Sequence, residues 1–156
     1  MKINLIEKIV GSGLYTGYIP LASGTFGSIV ALLIYQFVPH FEELYIIVPS
    51  ILIFTLWGIK IGTKFESLYG KDPAECTIDE VVGMWITLLL LPKNILISLI
   101  AFTVWRTLDI IKPFPASKSE SLEGGLGIMM DDIISAVYSL IIVHLILVIF
   151  GKHLIK

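Results

Sequence analysis

Two pairs of adjacent acids, Asp79-Glu80 and Asp131-Asp132, each stand at the start of an apolar stretch, and Asp109 falls between Arg106 and Lys112. Carboxylates gathered in one place repel one another, and at membrane depth each costs several kcal/mol unless compensated. A divalent cation relieves both penalties. Oxygen-only donors with no neighbouring His–Cys set point to a hard ion, Mg²⁺ before Mn²⁺ or Ca²⁺. The plainer role for each pair is to cap exposed N–H groups at a helix start. Two pairs facing one way, joined by Asp109, favour the metal.

Arg106, Asp109 and Lys112 are spaced i, i+3, i+6 and share one helical stripe, which Pro113 and Pro115 terminate. The stripe is either a self-satisfied surface ladder or a metal ligand flanked by two cations that grip a phosphate; the neighbouring acids favour the second. Ser23-Gly24-Thr25-Phe26-Gly27-Ser28 leads into the first apolar run, so it is an ordinary N-cap or an anion site with close backbone approach. Gly124-Gly125-Leu126-Gly127 is a backbone nest or a flexible turn. His144 lies inside an all-apolar stretch and reads as a packed core residue. Cys76, close to Asp79, has no arginine at phosphatase-loop spacing and no basic partner, so a nucleophilic role is not expected. Hydrolysis at such a site would use a metal-activated water.

The elements that must carry these residues are strongly apolar. Of 156 residues, 56% are hydrophobic and only 15% charged, against about 25% in ordinary soluble domains. The mean hydropathy is +0.90. Disorder, a collagen-like chain and a disulfide scaffold are excluded, and a net charge of -2 offers no basic surface for nucleic acid. The apolar runs are 26–38, 44–61, 81–91, 95–108 and 133–150, of which the second and fifth approach the ~20 residues that span a bilayer. The expected fold is all-α: a compact membrane-embedded bundle of about five apolar helices, 1–156 forming one domain. A very apolar soluble bundle is the alternative. The first residues carry Asn4, Glu7 and Lys8 among apolar positions, which predicts an N-terminal amphipathic helix rather than a signal peptide.

Short turns at 39–43 and 92–94 make consecutive helices antiparallel. That alternation sends all five acids, with Lys2, Lys8, Lys60, Lys64, Lys71, Arg106, Lys112 and Lys118, to one side. Lys93, Lys152 and Lys156 fall on the other. Eight cations against three assign the acidic side to the cytoplasm. His40 and His153 lie on the opposite side.

In this order, Ser23-Gly-Thr-Phe-Gly-Ser28, Lys71-Asp-Pro73 with Thr77-Ile-Asp-Glu-Val-Val-Gly-Met-Trp85, Arg106-Thr-Leu-Asp-Ile-Ile-Lys-Pro-Phe-Pro115 and Gly124-Gly-Leu-Gly-Ile-Met-Met-Asp-Asp132 resemble the bacterial phosphatidylglycerophosphatase A family. The resemblance covers roughly 11–138. It implies Mg²⁺-dependent hydrolysis of phosphatidylglycerophosphate to phosphatidylglycerol and phosphate, on membrane lipid. It also implies metal and catalytic roles for Asp79, Glu80, Asp109, Asp131 and Asp132, and phosphate contacts from Thr25, Ser28, Arg106 and Lys112. Three departures touch substrate fit: Ser23 where proline is expected, Trp105 for phenylalanine, and Ser135-Ala136 for Ala-Gly. The rivals are a divalent-cation carrier, a non-catalytic scaffold whose acids only cap helices, and a phosphatase for another lipid or isoprenoid phosphate. Self-association is compatible with all of them.

Overall fold

A computed structural model describes residues 2–119 and 121–154, with side chains to residue 151. Lys156 and the side chains of Lys152 and His153, used in the charge sorting above, lie outside the described residues. The described chain is all-helical: α1 (Leu5–Gly11), a 3₁₀ turn (Thr16–Tyr18), α2 (Ser23–Phe37), α3 (Leu44–Tyr69), α4 (Ile78–Thr87), α5 (Ile95–Ile111), α6 (Ala116–Ser119) and α7 (Gly125–Leu154).

Local sequence sets these boundaries. Asn4 and Glu7 form a reciprocal capping box on α1, and the Asn94 side chain accepts from the N–H groups of Leu96 and Ile97 to open α5. Neither acid pair is an N-cap. Asp79 and Glu80 occupy the first turn of α4, where the helix dipole favours negative charge. Asp131 and Asp132 sit a turn further in than expected, because α7 begins at Gly125 and takes up the glycine segment as its first turn. That segment is neither nest nor flexible turn: Gly125 lies against the Ile59 carbonyl, leaving no room for a Cβ.

The helices alternate in direction. At the end away from the acids, Lys93 Nζ lies 2.9 Å from Glu42 Oε2 and donates to the Val38 carbonyl at 2.8 Å, tying the two short turns together. Tyr35 Oη donates to the Leu91 carbonyl beside them. Within the bundle, Gly58 and Gly62 on α3 face Met129 and Gly125 on α7, a small-xxx-small contact of the kind that lets helices approach closely. Trp105, Tyr35, Phe65 and Met129 fill the core.

Two helices, Leu44–Tyr69 and Gly125–Gly151, are long and apolar enough to cross a membrane. Only 22% of each apolar window is buried, unlike the core helix of a soluble bundle. Leu52, Leu56, Leu99, Ile141, Leu145 and Val148 are among the large apolar residues left exposed along the flanks. α1 is amphipathic as expected: Leu5 and Ile6 face outward, Gly11 packs on Ile61 and Phe65, and Glu7 pairs with Lys64.

Candidate active site

Antiparallel alternation delivers the start of α4, the end of α5 and the second turn of α7 to the same end of the bundle. Asp79, Asp109, Asp131 and Asp132 are buried there and Glu80 is nearly so. Glu80, Asp109 and Asp132 each bring one carboxylate oxygen within 4.8 Å of the others. The Arg106 guanidinium pairs with Glu80 and lies 3.0 Å from Asp109 Oδ2. Lys112 falls off the predicted stripe. It ends α5 in the left-handed conformation (φ 48°), which swings Nζ to 2.7 Å from Asp131 Oδ2 and 3.9 Å from Asp72 Oδ2.

Around these groups lies a cleft of about 240 Å³ lined by Ser23, residues 72–74, Cys76, Thr77, Asp79, Glu80, Asp109, Lys112, Asp131 and Asp132. Burial, then the neighbouring acids Glu80, Asp72 and Asp131, hold the Asp79 carboxyl well above the usual carboxylate range. Burial and Asp109 push Glu80 up to about 8 despite the opposing pull of Arg106 and Lys112. Both groups stand at the head of α4, which at ten residues is too short to span. Burial also raises the Cys76 thiol, so it is a poor nucleophile although it lines the cleft.

The residues fit a cation and an anion held together. Asp79 Oδ1, Asp131 Oδ1 and Asp132 Oδ2 are buried without a hydrogen-bond partner among the described residues. Arg106 Nε is likewise a buried donor without an acceptor. Native interiors leave few such atoms, and three orphaned carboxylate oxygens beside an orphaned guanidinium N–H match a hard divalent ion next to a phosphoryl group.

Of the four expected phosphate contacts only Lys112 lines the cleft; Arg106 adjoins it through its pairing with Glu80 and Asp109, and Ser28 and Thr25 do not line it. Ser28 is fully buried, and its hydroxyl donates to the Gly24 carbonyl at 3.0 Å while accepting from Trp105 Nε1 at 3.1 Å and Arg106 Nη1 at 3.4 Å. Thr25 is half-buried in the first turn of α2 and off the cleft wall; Ser23 is on it. The hydroxyl-and-glycine segment instead builds a backing. A Cβ on Gly24 would collide with the Glu80 carboxylate, so glycine there lets α2 close over the Glu80–Arg106 pair. His144, expected as a packed core residue, is instead half-buried beside Ile141, Leu145 and Val148 on the flank of α7, and bonds the Leu140 carbonyl through Nδ1 at 2.8 Å. Sequence reasoning passed over Asp72 and Ser23 as site residues, although both lie inside segments it had singled out.

Fold and site together define a helical bundle, two of its helices long and apolar enough to cross a membrane, with an acidic, cation-flanked cleft at one end. The chain belongs to the phosphatidylglycerophosphatase A family, whose model matches residues 9–147. A Bacteroides thetaiotaomicron protein with the provisional name phosphatidylinositol-3-phosphatase is 36% identical over 147 residues, covering 90% of this chain and 92% of the relative. The phosphatidylglycerophosphatases A of Escherichia coli and Haemophilus influenzae are 34% and 33% identical, over 98% and 91% of this chain and 88% and 90% of theirs. No solved structure matches.

Proposed function

We propose that this chain is a lipid phosphatase that hydrolyses the terminal phosphomonoester of phosphatidylglycerophosphate, releasing phosphatidylglycerol and inorganic phosphate. It would do so as a multi-pass protein with its cleft at the cytoplasmic face. The observation that carries the reading is the orphaned set: three buried acceptor oxygens beside one buried guanidinium donor, in a member of this family.

Glu80, Asp109 and Asp132 would hold Mg²⁺, with Asp79 and Asp131 completing its surroundings. When bound there, the ion supplies Lewis-acid polarisation of the phosphoryl oxygens and lowers the pKa of water. Arg106, through its unengaged Nε, and Lys112 hold the non-bridging oxygens, where charge builds as the phosphoryl group transfers. Asp79 Oδ1, buried and without a donor, takes the proton from the attacking water. Water attacks phosphorus in line, the bond to the glycerol oxygen breaks, and that oxygen leaves as the alcohol after taking a proton from solvent, while Asp79 returns its proton to solvent. Ser28 acts through Arg106, fixing the guanidinium rather than touching phosphate, and Thr25 supports the same turn.

A second reading keeps the chemistry and changes the headgroup, since one relative carries the name of a phosphoinositide phosphatase. Phosphate release by purified protein from phosphatidylglycerophosphate, phosphatidylinositol 3-phosphate and phosphatidic acid, with Mg²⁺ or with EDTA, separates the cases. Mg²⁺-dependent release from the first lipid is expected; preferred release from the second moves the assignment to inositol lipids. No release from any lipid by folded protein removes the enzyme reading and leaves the scaffold.

A further inference from the structure

Beside the acidic cleft lies a larger cavity of about 460 Å³, and the two share Asp72 and Asp131 as a common wall. Its other lining includes Lys71, Glu66, Ser117 and Ser121, and no site residue named so far accounts for it. Lys71 has no ion-pair partner among the described residues. The loop that presents it is shaped rather than slack: Gly70 takes φ 101° and Asp72 φ 46°, with Pro73 following. That loop sets a cation over one cavity and a carboxylate between the two.

We infer that this second cavity is a headgroup subsite, reading the internal phosphodiester of the lipid through Lys71 and the polyol hydroxyls through Ser117, Ser121 and Glu66. The inference rests on the lipid-phosphatase reading and deepens it to a substrate class: phospholipids whose terminal phosphomonoester sits on a polyol that is itself joined to diacylglycerol by a phosphodiester. Such a headgroup carries two phosphates separated by a short polyol. The molecule offers two adjoining cavities, one lined by Lys112, the other by Lys71. A lipid such as phosphatidic acid, whose only phosphate is the scissile one, leaves the second cavity unused. Lys71 is then a specificity residue that acts on the ground state and the transition state alike, so it governs KM more than kcat.

The test measures kcat/KM for phosphatidylglycerophosphate and for phosphatidic acid in the same detergent micelles, in wild type, Lys71→Gln and Lys118→Gln. Lys118 lines neither cavity and serves as the control. Deacylated phosphatidylglycerol, a soluble phosphodiester with no phosphomonoester, is titrated into metal-free wild type and Lys71→Gln as a direct binding probe. Removing one charge-assisted contact is expected to lower the ratio of the two efficiencies about tenfold through KM, and to weaken the probe by a similar factor. Lys118→Gln is expected to leave both unchanged. An unchanged ratio in Lys71→Gln, in protein that hydrolyses phosphatidylglycerophosphate, overturns the subsite and leaves the enzyme assignment standing. Failure of the probe to bind wild type does the same. Absence of any phosphatidylglycerophosphate hydrolysis overturns the enzyme assignment, and the subsite with it.

Discussion

Asp109 and Asp132 supply two of the three clustered carboxylate oxygens, and exchanging either for asparagine keeps shape while removing charge. Asp109→Asn and Asp132→Asn are each expected to lose at least about 100-fold in phosphate release and to bind Mg²⁺ more weakly by calorimetry. A variant retaining both properties removes that residue from the site. Glu80 gives a pH signature. Burial, then the Asp109 carboxylate, push its carboxyl up to about 8 from the ordinary 4.5, so between those values the metal-free folded state binds more protons than the unfolded state. Stability therefore falls as pH rises from about 4.5 to about 8. Mg²⁺ competes with those protons, so the rise in Tm on adding it should be larger at pH 8 than at pH 5.5. An equal rise at both values places Glu80 outside the ion's reach. The acids were legible in the sequence because charge in so apolar a chain is costly and must have a use. Ser28 was not, because a hydroxyl that binds phosphate and one that braces an arginine have the same one-dimensional pattern.

At the level of elements, the order and direction of the five long helices followed from apolar runs and short turns, but their ends did not. Hydropathy ends where polar residues begin, whereas α3 continues through Lys64 and Glu66 to Tyr69 and α7 starts upstream of its acids. Backbone hydrogen bonding and tertiary contact carry those turns past the hydropathic boundary. The contact that starts α7 early is Gly125 against Ile59, and no pattern within either segment announces it. Gly125→Ala must push α7 from α3 by displacing backbone, which no side-chain rotation relieves. The expected cost is about 1–3 kcal/mol, read as a Tm several degrees lower in detergent, with activity reduced because Asp131 and Asp132 ride on the displaced turn. An unchanged Tm shows that the helices accommodate the methyl. Gly24→Ala separates packing from chemistry differently: its Cβ meets the Glu80 carboxylate, so activity should fall more than stability.

Over the whole molecule, dimensions decide where the chemistry stands relative to the bilayer. The 26 residues of α3 rise about 39 Å, more than the ~30 Å hydrocarbon core, so in the proposed spanning arrangement its site end would reach the headgroup layer. Asp131 and Asp132 lie only about 10 Å along the helix from the start of α7, which in that arrangement would put them near the same interface. Acids at one interface suit a reaction on a lipid headgroup and not a conduction path, which requires charge on both halves of the membrane. The proposed cytoplasmic placement of that end rests on the basic residues: Lys2, Lys8, Lys64, Lys71, Arg106, Lys112 and Lys118 belong to the site end while Lys93 marks the other. Cysteines introduced one at a time test it: Lys118→Cys at the site end and Glu43→Cys at the opposite turn, both exposed, with wild type as control because Cys76 is buried. In intact bacterial spheroplasts an impermeant maleimide should label Glu43→Cys at once and Lys118→Cys only after permeabilisation. The reverse pattern turns the cleft outward, where it would need substrate delivered across the membrane, and equal labelling of both before permeabilisation removes the spanning bundle altogether.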